Sequence, residues 1–229
     1  MVTRGADGTS PTRRAVRIAV VPLALALLAA GSAGCALGER PSFVDAGVDT
    51  SEGSMTGDPA IDAVLVRLDA VGTAIFTAHY TATLTFGGTS TELDVVQNGT
   101  ATHRSVEIGD VRYLTDGADL TTCVTATQVC TRGIDAAAVS DTGVTPDFAF
   151  GALAKRLRRD AVAKIGAATA STMQVDGLTG TCVDVPVSGG SKVYCVLDNG
   201  VIARFVGGDV SIEMLTYTST VDPTLFKNP

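Results

Sequence analysis

Apolar and polar residues alternate almost without a break from Ile75 to Phe86, IFTAHYTATLTF. Phe76, Ala78, Tyr80, Ala82, Leu84 and Phe86 fall on one side of the alternation, and Thr77, His79, Thr81, Thr83 and Thr85 on the other. A period of two in β-branched and aromatic residues predicts a long strand with one dry and one wet face. At ~3.3 Å per residue it spans about 40 Å. Its dry face needs cover, either a helix of the same chain or a bound apolar molecule.

Just upstream the period becomes helical. Asp58 is placed to cap and Pro59 takes the first helical position. Ile61, Val64, Leu65, Leu68 and Val71 then form one apolar stripe that stops at Gly72. Downstream, Gly87-Gly88 turns the chain into STELDVVQ, and Asn98-Gly99 is a hairpin signal leading into TATHRSVEI. VRYLT, Leu120–Cys123 and Val129–Arg132 continue the series, at a spacing that predicts an antiparallel meander. Residues 134–165 interrupt it with an Ala-rich piece and a second helix, started by Thr145-Pro146-Asp147, with Phe148, Leu153 and Leu157 as its apolar contacts. Strand texture returns in STMQV, TCVDVPV, KVYCVLD, VIARFV and DVSIEMLTYTS, with Asn199-Gly200 as another hairpin signal. The order helix, meander, helices, meander predicts one α+β domain over residues 58–229, an ordinary domain size.

The N-terminus is of another kind. Arg13, Arg14 and Arg17 precede an apolar run from Ile18 to Ala30 and a small-residue stretch ending at Cys35. That is the pattern of an export signal, residues 1–34. The run holds Pro22 and falls short of the ~20 residues a membrane-spanning helix needs. Ser32-Ala33-Gly34-Cys35 resembles the lipobox of bacterial lipoproteins, although Ser32 stands where Leu is usual. The alternative is ordinary cleavage nearby, leaving Cys35 a free thiol; the other four cysteines can pair among themselves, which favours lipidation of Cys35. Arg13-Arg14 raises twin-arginine export beside the general route. Residues 36–57, without apolar period and rich in Gly, Ser and acids, read as a tether behind the lipidated residue. The expected location is the extracytoplasmic face of the cell membrane, held by the lipid.

The chain carries 17 basic and 24 acidic residues, a net charge of −7. Residues 1–34 hold four of the basic residues (Arg4, Arg13, Arg14, Arg17) and one acid (Asp7), so the remainder carries −10. Such a surface repels phosphate backbones and argues against nucleic-acid binding. Cys123 and Cys130 flank a short turn, and Cys182 and Cys195 lie on consecutive expected strands. Four cysteines allow three connectivities; local pairing is the simplest and would contribute about 2.5 and 3 kcal/mol. Zinc is the competitor, without the usual Cys-x-x-Cys spacing. His79 and His103 are the only histidines. With no G-x-S-x-G, H-E-x-x-H or P-loop, no catalytic residue, metal or cofactor is expected.

Taken together, the lipobox-like Cys35, the tether, the first helix and FTAHYTATLTF resemble the LolA/LolB and LppX/LprG-like lipoprotein superfamily. Val175-Asp176-Gly177, Tyr194-Cys195 with Asn199-Gly200-Val201, and the closing Val221-Asp222-Pro223, Phe226 and Pro229 add to the likeness. The resemblance implies an unclosed antiparallel β-barrel, a half-barrel with helices packed on its concave side, often around an apolar cavity for acyl chains. On that reading Phe76, Tyr80, Leu84 and Phe86, with Leu65 and Leu68 from the first helix, would bind a lipid or acyl chain for transport or sensing. The competing reading packs the same strand face on the Ile61–Leu68 helix as ordinary core and leaves a non-catalytic interaction or scaffold lipoprotein. The basic run Lys155–Arg159 would meet an anionic headgroup or membrane phosphate at the mouth of such a cavity, or simply be a solvated helix end favoured by the dipole.

Overall fold

The computed structural model describes residues 51 and 53–228; the export signal, Cys35 and most of the tether lie outside them. Asp58 caps helix α1 (Pro59–Ala70) by accepting from Ala60 N, and a 3-10 turn (Val71–Thr73) follows. The long strand is β1 (Ile75–Leu84). It leads into β2 (Ser90–Asn98), β3 (His103–Ile108), β4 (Val111–Asp116), β5 (Asp119–Val124) and β6 (Val129–Arg132). Helices α2 (Ala136–Thr142) and α3 (Gly151–Ala163) separate this meander from β7 (Thr169–Val175), β8 (Leu178–Val187), β9 (Gly190–Val196), β10 (Ile202–Val206) and β11 (Val210–Thr218).

All eleven strands join one antiparallel sheet in the order β6-β5-β4-β3-β2-β1-β11-β10-β9-β8-β7. Each meander is internally sequential, and the two meet where the first strand of one pairs with the last strand of the other. β1 is therefore the middle strand, with five on either side. It pairs with β2 from Ile75↔Asn98 to Thr83↔Ser90 and with β11 from Thr77↔Thr218 to Leu84↔Val210. The ends β6 and β7 do not pair with each other, so the barrel is unclosed. Helices α1 and α3 pack together on the concave side, α1 against β8 and β9.

Inward-facing residues form one continuous core. Phe76, Val95, Ile108, Leu157, Val183, Tyr194 and Phe205 are all fully buried in it. On the outer face a closing 3-10 turn (Pro223–Phe226), capped by Asp222, lies against β3 and β4. Its Phe226 ring meets His103 edge-on at 4.7 Å. Cys123–Cys130 and Cys182–Cys195 are disulfides between directly opposed residues of adjacent strands, β5/β6 and β8/β9.

Three expectations shift. The second helix begins at Gly151, since residues 146–150 form successive turns, with Phe148 N bonded to Thr145 O and Phe150 N to Asp147 O. Strand β1 ends at Leu84, two residues before Phe86. Residues 53–57 are held against the helices: Gly53 N donates to Asp69, Thr56 N and Gly57 N donate to Asp62, and Ser54 O accepts from Arg158 Nε at 2.9 Å. The described domain thus takes in residues 53–57 as well as 58–228.

The turn between β9 and β10 depends on its glycine. Gly200 has φ +84°, and a Cβ there would fall 2.1 Å from the Arg67 carbonyl oxygen and 2.8 Å from Val71 N. Only a residue without a side chain lets this hairpin close on the last turn of α1. Gly200→Ala is expected to lower stability by about 2–4 kcal/mol, combining left-handed strain with backbone overlap. Urea denaturation of the two proteins measures it, and an unchanged midpoint would contradict the contact.

Candidate functional site

The dry face of β1 is covered by the segment between α2 and α3. Phe76 packs on Phe150, ring centroids 6.4 Å apart, and stacks on Tyr217 at 6.5 Å. Tyr80 meets Phe148 edge-on at 5.5 Å, a geometry that aromatic pairs prefer. Further along, a Cβ at Gly143 would come within 3.1 Å of both Leu84 methyls. Residues 143, 148 and 150 thus meet residues 84, 80 and 76 in reverse order, so the segment runs across the strand from one end to the other. Ala78 and Ala82, the small residues between, are buried as well.

The six expected ligand-contact residues therefore separate into four groups. Phe76 and Tyr80 are 0% and 1% exposed, filled in by their own chain. Leu65 and Leu68 are equally buried but sit on α1, whose backbone neighbours are α3, β8 and β9. Leu84 is partly buried at the core's margin. Phe86 is 82% exposed, because the strand has ended and residues 85–87 form the turn. Its expected place on the dry face is corrected on that ground. Sequence reasoning underweighted Phe148 and missed Phe150. The available signal was Phe148-Ala149-Phe150, an apolar cluster between Pro146 and Gly151, too early to belong to the helix stripe.

The basic run is solvated only in part: Lys155 and Arg159 are exposed, and Arg156 and Arg158 are tied down. Arg158 is 2% exposed, paired with Asp69 and bonded to the Ser54 carbonyl. Arg156 pairs with Asp209 at 2.5 Å, its guanidinium 4.8 Å from the Phe205 ring centroid. Lys155 is exposed at the rim of a cleft of about 270 Å³. That cleft lies between the end of α1 (Leu68, Asp69), the 3-10 turn (Val71, Gly72), Ala101 and Arg104 from β2–β3, and the start of α3 with Asp147.

Its side chains are held by a chain of contacts. Fully buried Gln97 donates to Val71 O at 2.6 Å and Ala74 O at 2.9 Å, and accepts from Arg104 Nε at 2.6 Å. Arg104 lies flat over Phe150, 3.7 Å from the ring centroid, a cation–π contact. Burial holds the Arg104 pKa below its ordinary value, opposed by Asp147. Asp147 is more open to solvent, yet partial desolvation at the cleft raises its carboxyl, against the pull of Arg104, Lys155 and the Ala152 and Gly151 N–H groups. The cleft is thus amphoteric and rigidly framed. Both histidines find carboxylates across the sheet: His79 pairs with Asp94 from β2, and His103 lies 3.8 Å from Asp116 of β4.

No protein-family profile matches the chain, and no curated protein matches it in sequence. Among solved structures, it is similar to MucB in complex with MucA(peri), at a TM-score of 0.44 and 10% identity over 72% of this chain and 57% of that one. The Pseudomonas aeruginosa MucA/MucB complex gives a TM-score of 0.45 and 11% identity over 74% and 61%. MucB alone gives 0.44 and 10% over 76% and 64%. The chain spans about three fifths of the length of these proteins.

The raised pKa of Asp147 sets a sign for pH dependence. A carboxyl that binds its proton more tightly when folded favours the fold at low pH. That contribution is lost as pH rises from the ordinary value of 3.8 through the higher folded value. Asp147→Asn removes the loss, so the variant's stability relative to the parent protein should increase between about pH 3 and pH 7. Urea denaturation across that range tests it; a difference that stays flat or falls with pH would contradict the raised pKa of Asp147.

Proposed function

We propose that this protein is an exported, membrane-tethered, non-catalytic interaction module that binds another protein, with its interior occupied by its own chain. The single observation that carries this reading is the cover of β1 by Phe148 and Phe150. An acyl chain on the same face would have to displace both rings. Exposing two buried phenylalanines costs about 3–6 kcal/mol, the gain from burying roughly four to eight methylenes at ~0.8 kcal/mol each. A lipid would have to bury that many methylenes before any net gain, so carriage along β1 is the weaker reading.

Among the surfaces open to a partner is the charged cleft beside α3, lined by Lys155 and Arg104. Its framed but mixed charges suit a polar segment of a protein that carries an acidic side chain to Lys155. The two disulfides support an oxidising compartment, and lipidated Cys35 would hold the domain at the membrane through residues 36–52.

A photo-crosslinking residue placed at exposed Ala101 in the intact cell envelope should yield one discrete protein adduct. Lys155→Glu should weaken its capture about tenfold, equivalent to about 1.4 kcal/mol, and the same probe at Val129 on β6 should not give it. An adduct with lipid alone, or one that Lys155→Glu leaves unchanged, would contradict the proposal.

A further inference from the structure

The two ends of the sheet are built differently. β6 is four residues long, stapled to β5 by Cys123–Cys130, and closes on the Arg132–Asp119 ion pair at 2.6 Å. Short, charged strands are how proteins protect a sheet edge from further pairing. β7 has none of these devices. Its seven residues, Thr169-Ala170-Ser171-Thr172-Met173-Gln174-Val175, include no charge and no proline, and its register with β8 runs without a bulge. Thr169, Ala170, Ser171, Thr172 and Gln174 are exposed; only Met173 and Val175 pack partly on the core. The strand therefore adds little burial to its own domain while presenting a regular backbone edge: β8 is its one hydrogen-bonded strand neighbour, and β11 and α1 also approach it, Tyr217 N of β11 donating to Asp176 just past the strand's end.

We infer that β7 pairs with β7 of a second copy of this chain, antiparallel about a two-fold axis at Thr172. That register sets Thr169 against Val175, Ala170 against Gln174, Ser171 against Met173 and Thr172 against itself. In a molecule of net charge −7, a charged residue on this edge would meet its own kind or a near neighbour across the axis, and like charges opposed across strands are destabilising. None is present. Exposed Ile165, just before β7, and Leu178, just after it, are 73% and 37% exposed. Antiparallel pairing brings the Ile165 end of each copy beside the Leu178 end of the other, adding apolar contact at both margins. With one edge open and the other protected, the assembly closes at two copies and does not propagate. A strand pair of this length sits near or below the ~1,000 Å² of a stable interface, so the dimer is weak in dilute solution and is favoured where a tether confines two copies to one surface.

Cysteine scanning of the full chain in its own membrane tests the register. Thr172→Cys should give a disulfide-linked dimer on mild oxidation, above the background of the parent protein, whereas Gln174→Cys, roughly four residues out of line with its own copy, should not. Thr172→Lys, an exposed substitution expected to keep the parent's melting behaviour, should weaken self-association about tenfold in sedimentation experiments on detergent-extracted protein. Equal cross-linking from residues 172 and 174, a dimer indifferent to Thr172→Lys, or no self-association in the membrane would each overturn the inference. A Thr172→Cys adduct with a different protein would overturn it in favour of strand donation by a partner.

Discussion

A strand in the middle of a sheet has both backbone edges spoken for, and β1 is the middle strand of eleven. Its hydrogen bonds go to β2 and β11, so the one surface it can still offer is the dry face of Phe76, Ala78, Tyr80, Ala82 and Leu84. That face cannot be left in water. Each large apolar side chain exposed there would forgo about 1.5–3 kcal/mol, a large part of the 5–15 kcal/mol that holds a typical domain together. The chain meets the need with residues 143–150, which cross the strand and seat Phe148 and Phe150 on Tyr80 and Phe76. The two meanders are thereby pinned at their seam by the segment that connects them.

Much of the rest follows from seating that connection. Phe150 also carries Arg104 on its outer side, and Arg104 is fixed by Gln97, which in turn holds the 3-10 turn after α1. Packing of β1 and the framing of the charged cleft are therefore one structure seen from two sides. Arg158, which also lines the cleft, ties Asp69 of α1 to the Ser54 carbonyl, and Lys164 pairs with the capping carboxylate of Asp58. Hydrogen bonding from Lys164 is the foremost cause that keeps Asp58 below its ordinary pKa. The end of the tether and the start of the domain are thus fastened to the helix that closes the cleft.

Local physics made most of the fold legible. Alternation marked β1, strand-type residues between turn signals marked the other ten strands, Asp58-Pro59 marked the start of α1, and both Asn-Gly turns fell where the hairpins are. The local pairing of Cys123 with Cys130 and of Cys182 with Cys195 also matched the simplest reading. What stayed hidden was long-range. Nothing near Ile75 announces that it will pair with the last strand as well as the next, because register between distant strands is written in no single stretch of sequence. The choice between a helix and a ligand as cover for β1 omitted a third answer, a turn-rich segment whose two phenylalanines carry no helical period. Within the run Lys155–Arg159, Arg156 and Arg158 looked solvated because their acidic partners, Asp209 and Asp69, lie far away in the chain. Phe86 continued the alternation on paper only; the backbone had already turned.

Everything above rests on residues 143–150 staying on β1. Amide hydrogen exchange of the intact protein, followed residue by residue with and without phospholipid or free fatty acid, measures that directly. The account predicts that the amides of Phe148, Phe150 and Tyr80 exchange as slowly as those of the central strands and ignore added lipid. Rapid exchange confined to residues 143–150, or protection of β1 that rises when lipid is added, would mean that the face opens to take a ligand and would contradict it.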